Sequence, residues 1–311
     1  MKSRRIAFLL VVICIALFAA VNAPLILNHY RPISQSEAEL AEHYGAFVGG
    51  YFGSIFALVS VCFLFLTLRS QQTATAEQNL ANARQHFETK YFELLRMHRD
   101  NVQEIGMKGS SGRRLFVLMM RELREALRVV KEVAMKCDVD LSEETLQQIA
   151  YYCLFYGVGP NSSRMLQISL TDYDQEFISA IERALNNSDT KATVKAERKF
   201  SYTPFEGHQS RLGHYYRHLY QMVRYVDEQP DNLIGDKYKY VKTIRAQLST
   251  HEQAMLLINS LTPMGRKWWT MDFMVRYKLV KNIPRMFFDS DNEFDPCTKL
   301  PCGYFEWEQS A

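Results

Sequence analysis

Two long uncharged apolar runs near the start of the chain constrain its fold more than any other feature. Ile6–Leu27 covers 22 residues interrupted only by Asn22 and Pro24, and Ala46–Leu68 is a second run of similar length. At about 1.5 Å per residue, either run as a helix reaches about 33 Å, enough to cross a hydrocarbon core of roughly 30 Å. A cleaved leader is the rival for the first run, since Lys2, Arg4 and Arg5 precede it and Val21-Asn22-Ala23 resembles a cleavage site. Against that, Pro24 would follow the cut directly and the apolar run continues through Leu27. Retention predicts a two-helix transmembrane hairpin. Its flanks set the orientation: Lys2, Arg4, Arg5 and Arg69 lie on one side, whereas the connecting segment carries Arg31 against Glu37, Glu39 and Glu42. Cationic flanks stay cytoplasmic, so both ends are expected there.

The second run opens with a pattern that hydropathy does not require. Ala41, Gly45, Gly49, Gly53 and Ala57 recur every fourth residue. On a helix they form one stripe of small side chains, where another helix can approach closely. That helix is either the first span of the same subunit or a span of a second copy, which makes a homo-oligomer through the spans a candidate partner alongside membrane lipid.

Beyond Arg69 the pattern is helical and strand-like alternation is nearly absent. Gln71–Gln85 continues from the second span without proline or glycine, and Leu80, Phe87, Tyr91, Leu94, Leu95, His98, Val102 and Ile105 mark a helical stripe. Gly106–Gly112 reads as a turn. Leu115, Met119, Leu123, Leu127, Val130 and Val133 trace the next helix, ending near Cys137. Asp140 or Ser142 caps a following one through Tyr156, stopped by Gly157, and Thr171 with Asp174 opens another through Leu185. Helices are then expected over Arg211–Val226, over Lys237–Leu248, after the capping box of Ser249 and Glu252, and over Gly265–Val280 before Pro284. The predicted fold is all-α: a transmembrane hairpin over 1–69, a stalk helix over 70–105 and a helical cytoplasmic domain over 113–311.

Net charge is only +3, but it is unevenly spread. Lys191–Arg224 holds seven Lys/Arg against two acids, Arg266–Arg285 six against one, and Asp289–Ala311 six acids against one lysine. Such blocks fit solvated faces, an intramolecular charge match or a polyanion site. Six scattered cysteines give no disulfide framework. Cys297 and Cys302, four residues apart without a nearby histidine, make no metal site, and no cofactor motif is present.

The densest polar cluster runs from His208 to His218. On a helix, Arg211, His214, Tyr215 and His218 share a face at spacings of three and four, with Arg217 beside them. An arginine and a histidine so placed can hold a phosphate and move a proton, as in HEPN-type ribonucleases, where four to six residues separate the pair. Arg211 and His218 have six between them. Three readings follow from the cluster: a buried polar network, a sensing or partner-binding segment comprising His208, Arg211, His214, Tyr215, Arg217 and His218, and catalysis by Arg211 with His218.

Five ordered blocks carry a family resemblance: Tyr44–Gly53 with Leu68–Gln71, Phe87–Leu95, Gly213–Tyr220, Ile244–Ser249 with Glu252, and Tyr277–Pro284. Together they resemble phage abortive-infection proteins of the AbiC-like group. Two-span proteins of this kind are similar to the toxic membrane effectors found beside retron reverse transcriptases. The resemblance implies anti-phage defence at a bacterial inner membrane, with a reverse transcriptase and its RNA-linked DNA as the partner complex. The chain departs from the nuclease-like variant, because no second histidine follows Arg217-His218 three to five residues on.

Overall fold

A computed structural model describes residues 12–13, 15–16, 19–20, 23, 39, 42–43, 45–159, 164–288 and 295–309. The chain divides into two units, Met1–Ala83 and Arg84–Ala311. Most of the expected first span and Ala41 of the small-residue stripe lie outside the described residues, so the hairpin is not defined as a pair of helices. Among the described residues one helical stretch, Gly45–Glu104, is long and apolar enough to cross a membrane by length and composition.

That stretch begins with a π-helical turn, Val48–Phe52, and continues as helix α1, Gly53–Glu104. Four residues of an α-helix overshoot one turn by about 40°, and a π turn locally unwinds the helix, opposing that drift. Nothing lies within 4 Å of where a Cβ would stand on Gly45, Gly49 or Gly53. In the first unit the apolar side chains of α1 face outward: Leu58 is 66 % and Phe65 63 % exposed. The hydroxyls of Ser54 and Ser60 donate to the carbonyls of Gly50 (2.6 Å) and Phe56 (2.7 Å) one turn back. A helix so arranged satisfies its own polar groups, as hydrocarbon surroundings require.

Within the second unit, α1 changes character. Phe87, Tyr91, His98 and Val102 are buried, on one stripe. Phe87 stacks on Tyr225 and meets Tyr240 edge-on at centroid distances of 5.4 and 5.0 Å, and the Tyr91 hydroxyl donates to the Tyr240 carbonyl. The predicted turn after Ile105 is a two-residue hairpin, β1 (Gly106–Met107) against β2 (Ser110–Ser111), the only sheet among the described residues.

The core is built on α2 (Arg113–Lys136) and α3 (Glu143–Tyr156). All six apolar positions read from the sequence of α2 are buried. From Ile149 to Tyr156 every residue of α3 is buried, as expected of a helix apolar on all sides. Ser142 caps α3 by accepting from the Thr145 N–H, and Asp174 caps the helix that opens at Gln175 by accepting from the Phe177 N–H. Helices α4 (Met165–Ser169), α5 (Gln175–Asn186) and α6 (Ser188–Glu197) follow. No apolar period marks α6; it starts because Asn187 accepts from the N–H groups of Asp189 and Thr190. Then come α7 (Gln209–Asp227), α8 (Asp231–Ile234), α9 (Lys237–Ala246) and α10 (Thr250–Ser260), the last opened by the expected capping box of Ser249 and Glu252. Five cysteines among the described residues are free thiols.

The expected long helix over Gly265–Val280 is instead broken. Its place is taken by a 3-10 turn at Pro263–Gly265, α11 (Lys267–Thr270) and α12 (Phe273–Arg276), with Asp272 and Lys278 in left-handed backbone conformations. Phe273, Met274, Tyr277, Leu279, Val280 and Ile283 are all buried, more apolar residues than one helical stripe can hide. Tertiary partners replace the lost helical bonds. The Tyr304 hydroxyl donates to the Met274 carbonyl and accepts from the Val280 N–H, while Arg245 Nη1 donates to the carbonyls of Tyr277 and Lys278.

Candidate functional site

Where α2 meets the segment leading into α7, a fully buried carboxylate gathers three donors. Glu122 accepts from the Tyr202 hydroxyl (2.7 Å), the Phe205 N–H (2.6 Å) and His208 Nε2 (3.0 Å). A carboxylate oxygen accepts, so Nε2 is the donor of this pair. Burial, then the charge of Glu122, pushes the Tyr202 hydroxyl far above its usual pKa. The backbone around this point is forced. Phe205 is left-handed, the Val158 N–H donates to its carbonyl, and the His208 N–H donates to the carbonyls of Leu154 and Phe155. Gly157 and Gly207 cross so closely that a Cβ on either would lie 2.5 Å from the other strand of backbone. Both also have positive φ, so no other residue type fits without displacement.

A second buried carboxylate, Glu252 of α10, meets α7 two turns beyond His208. Glu252 Oε2 accepts from the Ser249 N–H (2.8 Å) and hydroxyl (2.6 Å), and Oε1 from the Tyr215 hydroxyl (3.2 Å). Arg113 Nε stands 3.6 Å away. Beside Tyr215 lies His98 of α1, at a ring distance of 5.3 Å, and His98 in turn stacks on His218 with centroids 5.8 Å apart and planes 12° from parallel. Neither nitrogen of either ring has a protein hydrogen-bond partner. Burial pushes His98 down to about 4, helped by the charges of His218 and Arg113. Burial, then the charge of His214, lowers His218. Both imidazoles are therefore neutral at pH 7.

The cluster read from the sequence is divided among these surroundings. His208 belongs to the Glu122 network and Tyr215 to the Glu252 network. Arg211 Nε donates to the Gly106 carbonyl at 3.1 Å. His214 and Arg217 are exposed, the latter donating to the Gly213 carbonyl of its own helix. His218 turns to His98. Arg211 and His218 are seven positions apart, about 10 Å along the helix axis, and no hydrogen bond joins them. Glu122 and His98 were not singled out, although each left a signal. Glu122 falls three residues after Met119 on the apolar stripe of α2, and His98 occupies an apolar position of α1. A polar group on such a stripe must find a buried partner. Tyr202 left none, because it reaches Glu122 from an irregular segment.

Residues 207–288 match the family described as "putative phage abortive infection protein". The matched stretch runs from the Gly207 crossing through α7 to Phe288, and this similarity to abortive-infection proteins supports a role in anti-phage defence. It contains three of the five blocks on which the resemblance was drawn; those of the apolar helix and of Phe87–Leu95 lie outside it. No curated protein and no solved structure matches the chain.

Proposed function

We propose that the protein is a membrane-embedded effector of phage abortive infection. The observation that carries this reading is one covalent continuity: a chain bearing a stretch similar to abortive-infection proteins also bears an outward-facing apolar helix of membrane-spanning length. In this reading the chain crosses the inner membrane twice, with Lys2, Arg4, Arg5 and Arg69 on the cytoplasmic side. Ala41, Gly45, Gly49, Gly53 and Ala57 form the contact stripe, either between spans of one chain or between copies. A complex of reverse transcriptase and RNA-linked DNA holds the protein silent through the His208–His218 segment. Infection releases it, the spans assemble or loosen, and the membrane leaks before phage matures.

Induced expression with simultaneous measurement of dye uptake and membrane potential tests the mechanism. Early depolarisation is expected, and death with intact polarisation would sink it. Fragmentation of cellular RNA before any leakage, abolished by alanine at Arg211 or His218 with abundance unchanged, would instead establish a membrane-anchored ribonuclease. Co-expression of the reverse transcriptase complex should suppress killing. Unabated killing removes the retron link and leaves the membrane mechanism standing.

A further inference from the structure

Away from the histidine networks, α7 turns another face toward the segment around α11. Arg217, Tyr220, Gln221 and Arg224 of α7, with Lys267 and Trp268 opposite, border a cleft of about 690 Å3, within the range of small-molecule sites. Its charges are not balanced. Arg224 is paired with Glu228 at 2.6 Å, whereas Arg217 and Lys267 have no acidic partner among the described residues. Two uncompensated cations on one cleft match a single phosphate monoester, which carries about −1.5 to −2 at pH 7. The wall beside them is aromatic: Tyr220 meets Trp268 edge-on at a ring distance of 5.2 Å, and Trp268 is almost fully buried. Gln221 is exposed and its amide has no protein partner, so a donor and an acceptor face the same space. All six residues lie inside the matched stretch.

We propose that this cleft binds a small phosphate monoester with a planar body, such as a nucleoside monophosphate, the phosphate held by Arg217 and Lys267 and the body lying against Tyr220, which Trp268 backs. The Arg217 guanidinium gives up a bond to its own helix and gains a charge-assisted one. The site stands independently of the membrane mechanism, and failure of either leaves the other intact. A lipid headgroup shares the phosphate chemistry but lacks the planar body, so glycerol 3-phosphate separates the two sources.

The test is equilibrium dialysis of the full chain in detergent micelles against AMP, GMP, CMP, UMP, adenosine, inorganic phosphate, glycerol 3-phosphate and single-stranded oligothymidylate. At least one mononucleotide should saturate one site, with adenosine and inorganic phosphate at least about tenfold weaker. R217Q and K267Q should each weaken binding about tenfold with Tm unchanged, since both side chains are exposed. Glycerol 3-phosphate binding as tightly as any mononucleotide would overturn the planar-body assignment in favour of a lipid source. Tighter binding of oligothymidylate would overturn the small-molecule site in favour of nucleic acid. No saturable binding at millimolar concentration, or affinity unchanged in the double variant, would overturn it altogether.

Discussion

His208 and His98 are buried alike, each 1 % exposed, yet their surroundings differ in kind. His208 is fixed by a carboxylate that also holds a tyrosine and a backbone amide. His98 packs against two rings, Tyr215 and His218, with no bond to either imidazole nitrogen. The first arrangement ties α2 to the entrance of α7 through three hydrogen bonds to one carboxylate. The second favours the contact of α1 with α7 most while both rings are neutral, because a proton on either would be buried without an anion to meet it. One region of the domain is thus pinned and the other is conditional.

Removing the anchor should produce the largest effect. Glu122→Ala leaves the Tyr202 hydroxyl, the Phe205 N–H and His208 Nε2 buried without their acceptor, and a loss of about 3–5 kcal/mol is expected. Urea denaturation of the purified chain measures it; a loss below about 1 kcal/mol would mean that the network relaxes to other partners.

Acid should expose the conditional region. The folded state holds His98 at about 4, below an ordinary histidine, so its stabilising contribution is complete above about pH 6.5 and disappears as pH falls toward 4. His218 is lowered as well and adds in the same direction. About 3 kcal/mol of stability should be lost through this window from His98. His98→Phe should flatten that part of the profile while retaining the ring contacts. An unchanged profile would refute the contrast between the two histidines.

Smaller effects sharpen it. Tyr215→Phe deletes the bond to Glu252 but keeps the rings, and should cost about 1 kcal/mol in chemical melts. Ser249→Ala removes the cap of α10 and a donor to Glu252, also for about 1 kcal/mol. His214→Ala, at an exposed position, should change stability by less than about 0.5 kcal/mol. A larger change there would place His214 in a contact that the fold does not contain.

Helix starts and the core face of α2 were legible because they are local. Ser142, Asp174 and the Ser249–Glu252 box act within three residues of themselves, and an apolar period of 3.6 states directly which side of a helix faces inward. The last predicted helix was not legible for the same reason. Its carbonyls are satisfied by Arg245 and Tyr304, distant in sequence, so local periodicity carried no trace of the break at Asp272.

By itself the sequence determined an all-α chain, an apolar helix long enough for a bilayer, and a stretch similar to abortive-infection proteins whose polar cluster lies on one helix. Spacing along a helix fixes which side chains share a face. Only the tertiary structure decided what each of them meets: Arg211 a backbone carbonyl, Tyr215 a buried glutamate, His218 a second histidine, and Arg217 a cleft bordered by Lys267 and Trp268. The partner in every case comes from another part of the chain, and no period in the sequence encodes contacts made across that separation.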